Sequence, residues 1–280
     1  MSCSPTHQSD EFVSSGDTLV GTPQILCQRG SALWTPAVKD FQASGRSVSL
    51  FLPQPQQRGV FVRRLNRFAV EVEVDGEPVV AHLPNSGRMT ELLVPGHPVV
   101  LVERGLVGRK TGFDMLLVQY EGHWVSVDSR LPSILAFRAL GMGALAPWSA
   151  YTNVRREVTY LDSRLDLELR EGDRRCLIET KSVNLVLDGC ALFPDAPTIR
   201  GARHLRTLVQ AKKQGLEAGA LFIIQRADAT RFSPHTIADP IFSQALREAM
   251  GAGVEVRAYV CHIQPDLIVL GQEVPLVFGV

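Results

Sequence analysis

Three polar side chains occur in a pattern that suits metal-dependent chemistry, namely Asp166, Glu179 and Lys181. Residues 164–169 alternate polar and apolar, and residues 176–181 form an apolar run that turns polar at its end, so both segments read as strands. A Glu-Gly-Asp sequence between them predicts a turn. If the turn centres there, antiparallel pairing sets Asp166 opposite or nearly opposite Glu179, about 5 Å apart at Cβ. Glu179 and Lys181 then share one sheet face, because strand side chains repeat every second residue.

Two facing carboxylates repel each other unless a cation neutralises them. Mg²⁺ (or Mn²⁺) suits such a pair, since Mg²⁺ prefers oxygen ligands, binds through one or two carboxylates and keeps waters for phosphate chemistry. Asp166 and Glu179 are therefore the predicted metal ligands, and Lys181 would orient water or stabilise charge on the phosphate. The alternative is an exposed hairpin with ordinary charges, because Glu-x-Lys is a frequent strand sequence.

The elements around this hairpin predict an α/β domain over residues 131–280. Apolar spacing predicts helices and short apolar runs predict strands in the order α-β-β-β-α-β, followed by one more helix and strand. The predicted helices are 131–142, 202–216 (ended by Gly219) and 241–250, and the predicted strands outside the hairpin are 154–161, 220–224 and 254–260. The segment between the hairpin and Arg200 is predicted to be irregular.

Residues 58–130 carry a different pattern, in which short β-rich runs recur between turn sequences. A small closed barrel removes the exposed edges of such strands, and the OB barrel, which also binds oligonucleotides, is a frequent solution. Phe68 and Trp124 are candidate stacking platforms, although the alternating pattern around Phe68 favours a core position. The candidate nucleic-acid contacts are Arg63, Arg64, Arg67, Asn85, Arg88, Arg109 and Lys110.

Several motifs between about residues 59 and 262 carry a family resemblance. They are Arg67-Phe68, the Pro-Asn-Ser-Gly-Arg-Met segment 84–89, Arg164-Leu165-Asp166, the Ile-Glu-Thr-Lys-Ser-Val segment 178–183, the Phe-Pro-Asp-Ala-Pro-Thr segment 193–198, Arg200-Gly201 with His204-Leu205, and the Arg-Phe-Ser-Pro segment 231–234. In these motifs the chain resembles the sugar fermentation stimulation protein A family. Its C-terminal part resembles, more broadly, the PD-(D/E)XK nuclease superfamily.

The resemblance implies an N-terminal OB-like β-barrel joined to a C-terminal α/β nuclease-like domain with a mixed central sheet, and a role in DNA binding. Carried over by motif, Asp166, Glu179 and Lys181 are the catalytic positions, and Glu157 is an additional candidate acid. Arg200 and His204 are candidates for phosphate contact. The Pro-Asp pair of the superfamily name does not precede Asp166. Pro194-Asp195 occurs only after Glu179, so we expect Asp195 to cap a turn instead.

Charge does not by itself favour nucleic-acid binding. The chain has 29 Lys and Arg against 29 Asp and Glu, whereas strong non-specific DNA binding needs a basic surface to neutralise phosphates. We therefore expect a local basic cluster, with an affinity that depends on the metal or on a second subunit of a homodimer.

The remaining features place the protein in the cytoplasm, without a membrane partner. No run approaches the roughly 18 apolar residues of a membrane span. Residues 1–57 are predicted to be a flexible or poorly ordered extension, or an overlong start-site assignment, and lack the pattern of a secretory signal. The 5 cysteines show no metal spacing and are expected to be reduced thiols.

The sequence thus predicts a DNA-binding protein that is also a metal-dependent nuclease. One alternative is a non-catalytic DNA-binding or regulatory protein on a nuclease-like scaffold. A second is a metal-dependent hydrolase of a small phosphate ester. A phosphate-binding glycine-rich loop and a nucleophile elbow are both absent from the sequence, which argues against kinase, ATPase and α/β-hydrolase chemistry.

Overall fold

The computed structural model describes residues 47–279, in which a β-barrel precedes an α/β domain. The barrel strand Ala69–Val74 alternates buried and more exposed positions, so that its three valines are buried. Strands β3 and β4 pair antiparallel along their whole length. The strands of this part are β2 (Gln56–Asn66), β3 (Ala69–Val74), β4 (Glu77–His82), β5 (Pro98–Glu103), β6 (Phe113–Tyr120) and β7 (His123–Ser126).

Pairing between β4 and β6 closes the barrel. The sheet order is β4-β3-β2-β5-β6-β7, and β4 also pairs parallel with β6 at Ala81 with Phe113 and at His82 with Asp114. This contact closes five strands into a ring, so the backbone N–H and C=O groups at the edges of β4 and β6 can pair with each other. Side chains such as Phe61 and Met115 fill the interior. The predicted OB-like barrel is confirmed.

The α/β domain is built on a mixed sheet, as predicted. In the described part of the chain this sheet has 7 strands in the order β1-β16-β15-β13-β10-β9-β8, with β10, β13 and β15 parallel and the other pairs antiparallel. The strands are β1 (Ser49–Phe51), β8 (Asn153–Tyr160), β9 (Ser163–Glu171), β10 (Arg174–Val183), β13 (Glu217–Ile224), β15 (Glu255–Ile263) and β16 (Leu267–Val274). The helices are α1 (Leu131–Gly141), α2 (Ile199–Lys213) and α3 (Pro240–Gly251), with a 3₁₀ turn at Ala146–Trp148.

The end of the segment 1–57 is ordered, although the sequence predicts that most of this segment is a flexible extension. β1 pairs antiparallel with β16, and Val48, Leu50 and Leu52 are buried. Burial of these apolar side chains offsets the entropy lost on ordering the segment. Residues 1–46, which make up the rest of the predicted extension, lie outside the described residues.

Helix α2 begins and ends earlier than the sequence pattern predicts. Thr198 caps its N-terminus, since its hydroxyl accepts a hydrogen bond from Gly201 N at 3.0 Å. The helix ends at Lys213, and Gly219, the predicted stop, lies inside β13. A Cβ at Gly219 would lie 2.6 Å from the Trp148 ring, so glycine is required there by close packing rather than by a helix terminus.

A small sheet occupies part of the segment predicted to be irregular. β11 (Leu185–Leu187) and β12 (Cys190–Phe193) form an antiparallel pair, and β14 (Arg231–Pro234) joins β12 in parallel. Strands of three or four residues carry too little periodicity to be identified from the sequence. β12 leads directly into the segment that borders the site described below.

Two further findings concern the predicted location and the thiols. Among residues 47–279, the structure has no helix long and apolar enough to cross a membrane. Cys176, Cys190 and Cys261 are free and buried, as expected for reduced thiols. Burial raises the pKa of the Cys261 thiol to about 12, so this thiol stays protonated at neutral pH.

Candidate metal centre in the interdomain cleft

The hairpin of β9 and β10 brings the two predicted ligands together. The ladder pairs Leu167 with Ile178, and the next residues along the two strands are Asp166 and Glu179. Ile178 points towards Trp148 and Glu179 points towards α2, because successive side chains face opposite sides of a sheet. The hairpin is therefore paired as far as Leu167 and Ile178, and Asp166 and Glu179 follow directly after this last pair.

Asp166 is fixed by the strand opposite. Its Oδ2 accepts hydrogen bonds from Thr180 N at 2.8 Å and from Thr180 Oγ1 at 2.5 Å. No hydrogen bond is made to Oδ1 by any described residue. Burial, together with the negative charge of Glu179, raises the pKa of Asp166 above its usual range, although the Thr180 bonds and Lys181 oppose this. A cation beside Asp166 would relieve the same repulsion.

Glu179 is almost fully buried, with 3% of its surface exposed. Its Oε1 accepts from Lys181 Nζ and from His204 Nδ1, the latter at 2.5 Å. Burial alone would raise the pKa of this carboxyl, but Lys181 and His204 outweigh burial and lower it, so the ionised form is favoured. The second oxygen, Oε2, is buried and has no hydrogen-bond partner. A buried unpaired carboxylate oxygen is costly unless something else binds it.

His204 lies behind Glu179 rather than in contact with solvent. The imidazole is 1% exposed, and its Nε2 lies 3.3 Å from Arg200 Nε. Arginine can only donate, so Nε2 accepts and Nδ1 carries the hydrogen that is given to Glu179. The structure therefore places His204 against Glu179 and away from solvent, rather than at the surface where a phosphate would bind. Arg200 itself is exposed at the start of α2 and borders the cleft.

Glu157, the additional candidate acid, is not brought to this cluster. Its side chain is exposed and pairs with Arg164 at 2.6 Å, and its backbone adopts a positive φ of 57°. It lies on β8, beyond β9 from Glu179. Because the carboxylate bonds to a surface arginine, Glu157 contributes nothing to the group around Glu179.

The candidate ligands line a cleft of about 380 Å³ between the barrel and the α/β domain. The floor carries Asp166, Glu179 and Lys181. Both domains supply the walls. The barrel side contributes Arg67, Asn85, Ser86 and Gly87, and the opposite side contributes residues 192–198 and Arg200, with Ser129, Pro132 and Ser133 near the start of α1.

Two of the predicted nucleic-acid contacts form hydrogen bonds within the protein. Arg64 donates from Nη1 to the carbonyls of Gly87 and Arg88 at 2.7 and 2.8 Å, and from Nη2 to that of Arg67 at 2.7 Å. Asn85 is buried and donates to Asn184 Oδ1 of the α/β domain at 3.2 Å. The side chains of Arg64 and Asn85 are therefore engaged within the protein, whereas Arg67 remains on the cleft wall.

The other predicted contacts are spread over the barrel surface outside the cleft lining. Arg63 pairs with Glu71 at 2.9 Å, Arg109 pairs with the buried Asp114, and Arg88 and Lys110 are exposed.

The expectation that Phe68 belongs to the core is wrong. This ring is 47% exposed in the turn after β2, with the Arg67 guanidinium 5.5 Å from its centre. Trp124 is half-buried beneath Arg58, whose guanidinium carbon lies 5.1 Å from the ring centroid.

Sequence reasoning missed the role of Asp195. Its Oδ2 accepts from Met89 N at 3.0 Å, so it joins the segment after β12 to the barrel loop. The sequence offered one signal, the Pro-Asp pair, but this pair indicated only a turn. The partner lies 106 residues away along the chain, and spacing alone cannot reveal such a contact.

The donor set fits a small divalent cation bound mainly through oxygen. Across residues 47–279, no group of three or more His, Cys, Asp or Glu side chains is arranged as metal ligands. The set that the cleft does offer is two carboxylates, Asp166 and Glu179, and one buried oxygen of Glu179 has no hydrogen-bond partner. Magnesium sites commonly use one or two carboxylates and complete their shell with water and phosphate oxygen.

Comparison with known proteins places both domains in one family. The model of the sugar fermentation stimulation protein RE domain matches residues 130–267, and the model of the SfsA N-terminal OB domain matches residues 62–127. The chain is 46% identical over 222 residues to a sugar fermentation stimulation protein homolog of Chloroflexus aurantiacus, covering 79% of this chain and 86% of that one. A homolog from Moorella thermoacetica is 47% identical over 221 residues, covering 78% and 95%.

A solved structure shows the same fold. The structure of Pyrococcus furiosus SfsA in complex with Ca²⁺ superposes with a TM-score of 0.76 at 27% identity, over 83% of this chain and 100% of that one. The likeness therefore extends over the barrel and the α/β domain together, rather than over either domain alone.

Proposed function

The chain belongs to the sugar fermentation stimulation protein family, and we propose that it is a DNA-binding protein that hydrolyses phosphodiester bonds at a metal site formed by Asp166 and Glu179. The observation that carries the proposal is the buried, unpartnered Oε2 of Glu179 beside a second carboxylate on the floor of a cleft. A divalent cation would supply the missing partner of that oxygen.

Mg²⁺ or Mn²⁺ is the cofactor that suits these ligands. The raised pKa of Asp166 reflects burial and the neighbouring Glu179, and both costs would fall if the two carboxylates held a cation. The Pyrococcus furiosus relative is described in complex with Ca²⁺, a hard cation that takes oxygen ligands as Mg²⁺ does. When bound, the metal would lower the pKa of a water and polarise a phosphoryl oxygen.

The residues of the chain have separable parts in this reaction. Water adds to phosphorus, the ester P–O bond breaks, and the departing oxygen takes up a proton. The Lys181 ammonium is held against Glu179, where it can orient the attacking water and stabilise negative charge developing on the phosphate. Arg200, at the first turn of α2, is the candidate for binding a phosphate on the cleft wall. His204 and Thr180 donate hydrogen bonds that fix the two carboxylates.

The DNA part of the proposal depends on a local surface, since the net charge is zero. The barrel side of the cleft presents Arg67 beside the exposed ring of Phe68. Aromatic stacking combined with a cation is the usual means by which OB barrels bind nucleic-acid strands without sequence preference. Arg67 and Phe68 would therefore guide a strand towards the floor of the cleft.

The experiment is divalent-dependent cleavage of labelled DNA, with RNA in parallel. We expect cleavage in Mg²⁺ or Mn²⁺ that EDTA abolishes and that Lys181→Ala loses. The matched control is Lys213→Ala, which removes an exposed lysine at the end of α2 and should cleave like the unchanged protein.

The alternative functions give different results in the same assay. Salt-sensitive DNA binding without cleavage of any substrate would refute the nuclease and leave a DNA-binding or regulatory protein. Turnover of small phosphate esters only would identify a phosphoesterase and also refute the nuclease. Equal cleavage by Lys181→Ala and the unchanged protein would move the active site away from this cleft.

A further inference from the structure

The shape of the cleft points to a substrate class. We propose that the site acts on an unpaired DNA strand and not on an intact duplex, an inference that rests on the proposed function. Its starting observation is that the floor is walled by both domains and that these walls touch each other.

The two walls are held in a fixed relation by polar contacts across the domain boundary. Asn85 of the barrel donates to Asn184, whose own amide donates to the Ser126 carbonyl. Ser126 N donates to the Gln225 carbonyl at 3.1 Å, and Gln225 Nε2 donates to Ser182 Oγ at 2.8 Å. The side chains of Asn85, Asn184 and Gln225 are buried, so opening the cleft would expose or unpair several polar groups together.

The walls meet at Gly87 and Asp195. A Cβ at Gly87 would lie 2.9 Å from Asp195 Oδ2 and 3.1 Å from Asn85 Oδ1, so a larger residue would require these side chains to shift. Asp195 Oδ2 also accepts from Met89 N at 3.0 Å. The barrel loop and the segment after β12 thus bridge the cleft beside the carboxylate floor.

The space that remains accommodates part of one strand. The cleft measures about 380 Å³, near the lower end of the roughly 300–1,000 Å³ of small-ligand pockets, which is on the order of one nucleotide with its phosphate. Glu179 lies at the floor with 3% exposure, so a phosphate must enter between the walls to reach it. In a duplex the complementary strand would collide with one wall, and unpairing it costs energy that an unpaired strand does not spend.

The test compares one labelled strand of roughly 20 nucleotides, longer than the 4–16 nucleotides that one OB fold covers, in several forms. The forms are single strand, blunt duplex and a duplex carrying an unpaired tail. Cleavage is measured in Mg²⁺, and binding is measured by fluorescence anisotropy in Ca²⁺. We expect the single strand to be cleaved at least about tenfold faster than the blunt duplex, since duplex must unpair first. Cuts in the tailed substrate should fall within the tail.

A variant of Asp195, which joins the two walls, tests the inference through the ratio of single-strand to duplex cleavage rates. General loss of structure would lower both rates and would not change this ratio in one direction. Asp195→Ala removes the acceptor of Met89 N and the contact at Gly87. We expect it to cleave duplex more readily, so that the ratio of single-strand to duplex rates falls towards one. Asp173→Ala, in the exposed hairpin turn at the other end of β9 and β10, is the control and should keep the ratio of the unchanged protein.

Failure of this inference can be told from failure of the proposed function. Equal or faster cleavage of blunt duplex overturns the strand preference while leaving the nuclease in place. Absence of cleavage with tighter binding of the single strand refutes the nuclease and supports the unpaired strand as occupant. Duplex binding as tight as single-strand binding, or no single-strand binding at all, overturns the inference whatever the cleavage result.

Discussion

Two aspartates, one in each domain, have opposite surroundings. Asp114 in the barrel is 0% exposed and accepts from three arginines, Arg104, Arg109 and Arg130. Burial alone would raise its pKa, but Arg130, Arg109 and His82 outweigh burial and lower it. Asp166 in the cleft has another carboxylate as its neighbour, and burial with that neighbour raises its pKa.

The difference indicates which buried carboxylates are structural and which are available to a ligand. The charge of Asp114 is neutralised within the protein, so a cation could bind there only by displacing an arginine. At the floor of the cleft, the single Lys181 faces two carboxylates, and Glu179 Oε2 has no partner. Incomplete pairing therefore marks the cleft as the functional region more clearly than burial does, since Glu179 and Asp114 are both buried.

The largest expected effect comes from removing one cleft carboxylate. Asp166→Asn keeps the shape of the side chain but removes a metal ligand, so cleavage should fall by more than the roughly 10–100-fold typical of losing an outer partner of a metal site. In EDTA its free energy of unfolding should stay within about 1 kcal/mol of the unchanged protein or rise, because a like-charge pair is relieved. Cleavage assays and urea unfolding measure the two quantities. If Asp166→Asn were strongly destabilised in EDTA, Asp166 would be a structural residue like Asp114, and the contrast between the two aspartates would fail.

Removing the barrel aspartate should lower the free energy of unfolding and leave metal binding intact, the reverse of the result expected for Asp166→Asn. Asp114→Ala leaves three arginines without their shared acceptor, and loss of one partner of a buried ion pair costs about 3–5 kcal/mol. We expect about 3 kcal/mol, because Arg130 is 46% exposed and can be hydrated. Urea unfolding at neutral pH measures the loss. Residual folded protein should retain metal binding, and a variant as stable as the unchanged protein would remove the basis for calling Asp114 structural.

A smaller effect is expected at the residue behind Glu179. His204→Ala removes the donor to Oε1, and loss of such an outer contact typically lowers metal affinity by about 10–100-fold. His204→Asn places an amide donor near the former Nδ1 and should recover part of that loss. The concentration of Mg²⁺ at half-maximal cleavage measures the effect. Unchanged metal dependence in both variants would show that His204 only fills space.

The smallest expected effect is a pH-dependent one in the barrel. A lowered pKa in the folded state stabilises the fold above the unfolded pKa of aspartate, about 3.9, and this stabilisation is lost as the pH falls through the folded pKa. The difference in unfolding free energy between the unchanged protein and Asp114→Asn should therefore be constant near neutral pH and shrink below about pH 4. Urea unfolding at a series of pH values measures it. A difference that grew with acidity would have the wrong sign.

Much of the fold could be predicted because its signals are local. Alternation within β3, the apolar run of β13 and the cap-and-stop residues of the helices depend on neighbours a few positions away. The hairpin register that joins Asp166 to Glu179 is local in the same sense, since one turn fixes it. The short strands β11, β12 and β14 escaped prediction because three or four residues carry too little periodicity, and because β14 pairs with a segment about 40 residues earlier.

The sequence by itself determined the family, the two-domain order and the placing of Asp166, Glu179 and Lys181 near one another, because these follow from short-range periodicity and from motifs. Only the tertiary structure decided what surrounds them. Arg64, a predicted nucleic-acid contact, donates to backbone carbonyls of the barrel, and Asp195 bonds to a loop 106 residues away. Such partners depend on how whole domains pack, since burial forces each polar group to pair with whatever polar group packing brings within reach.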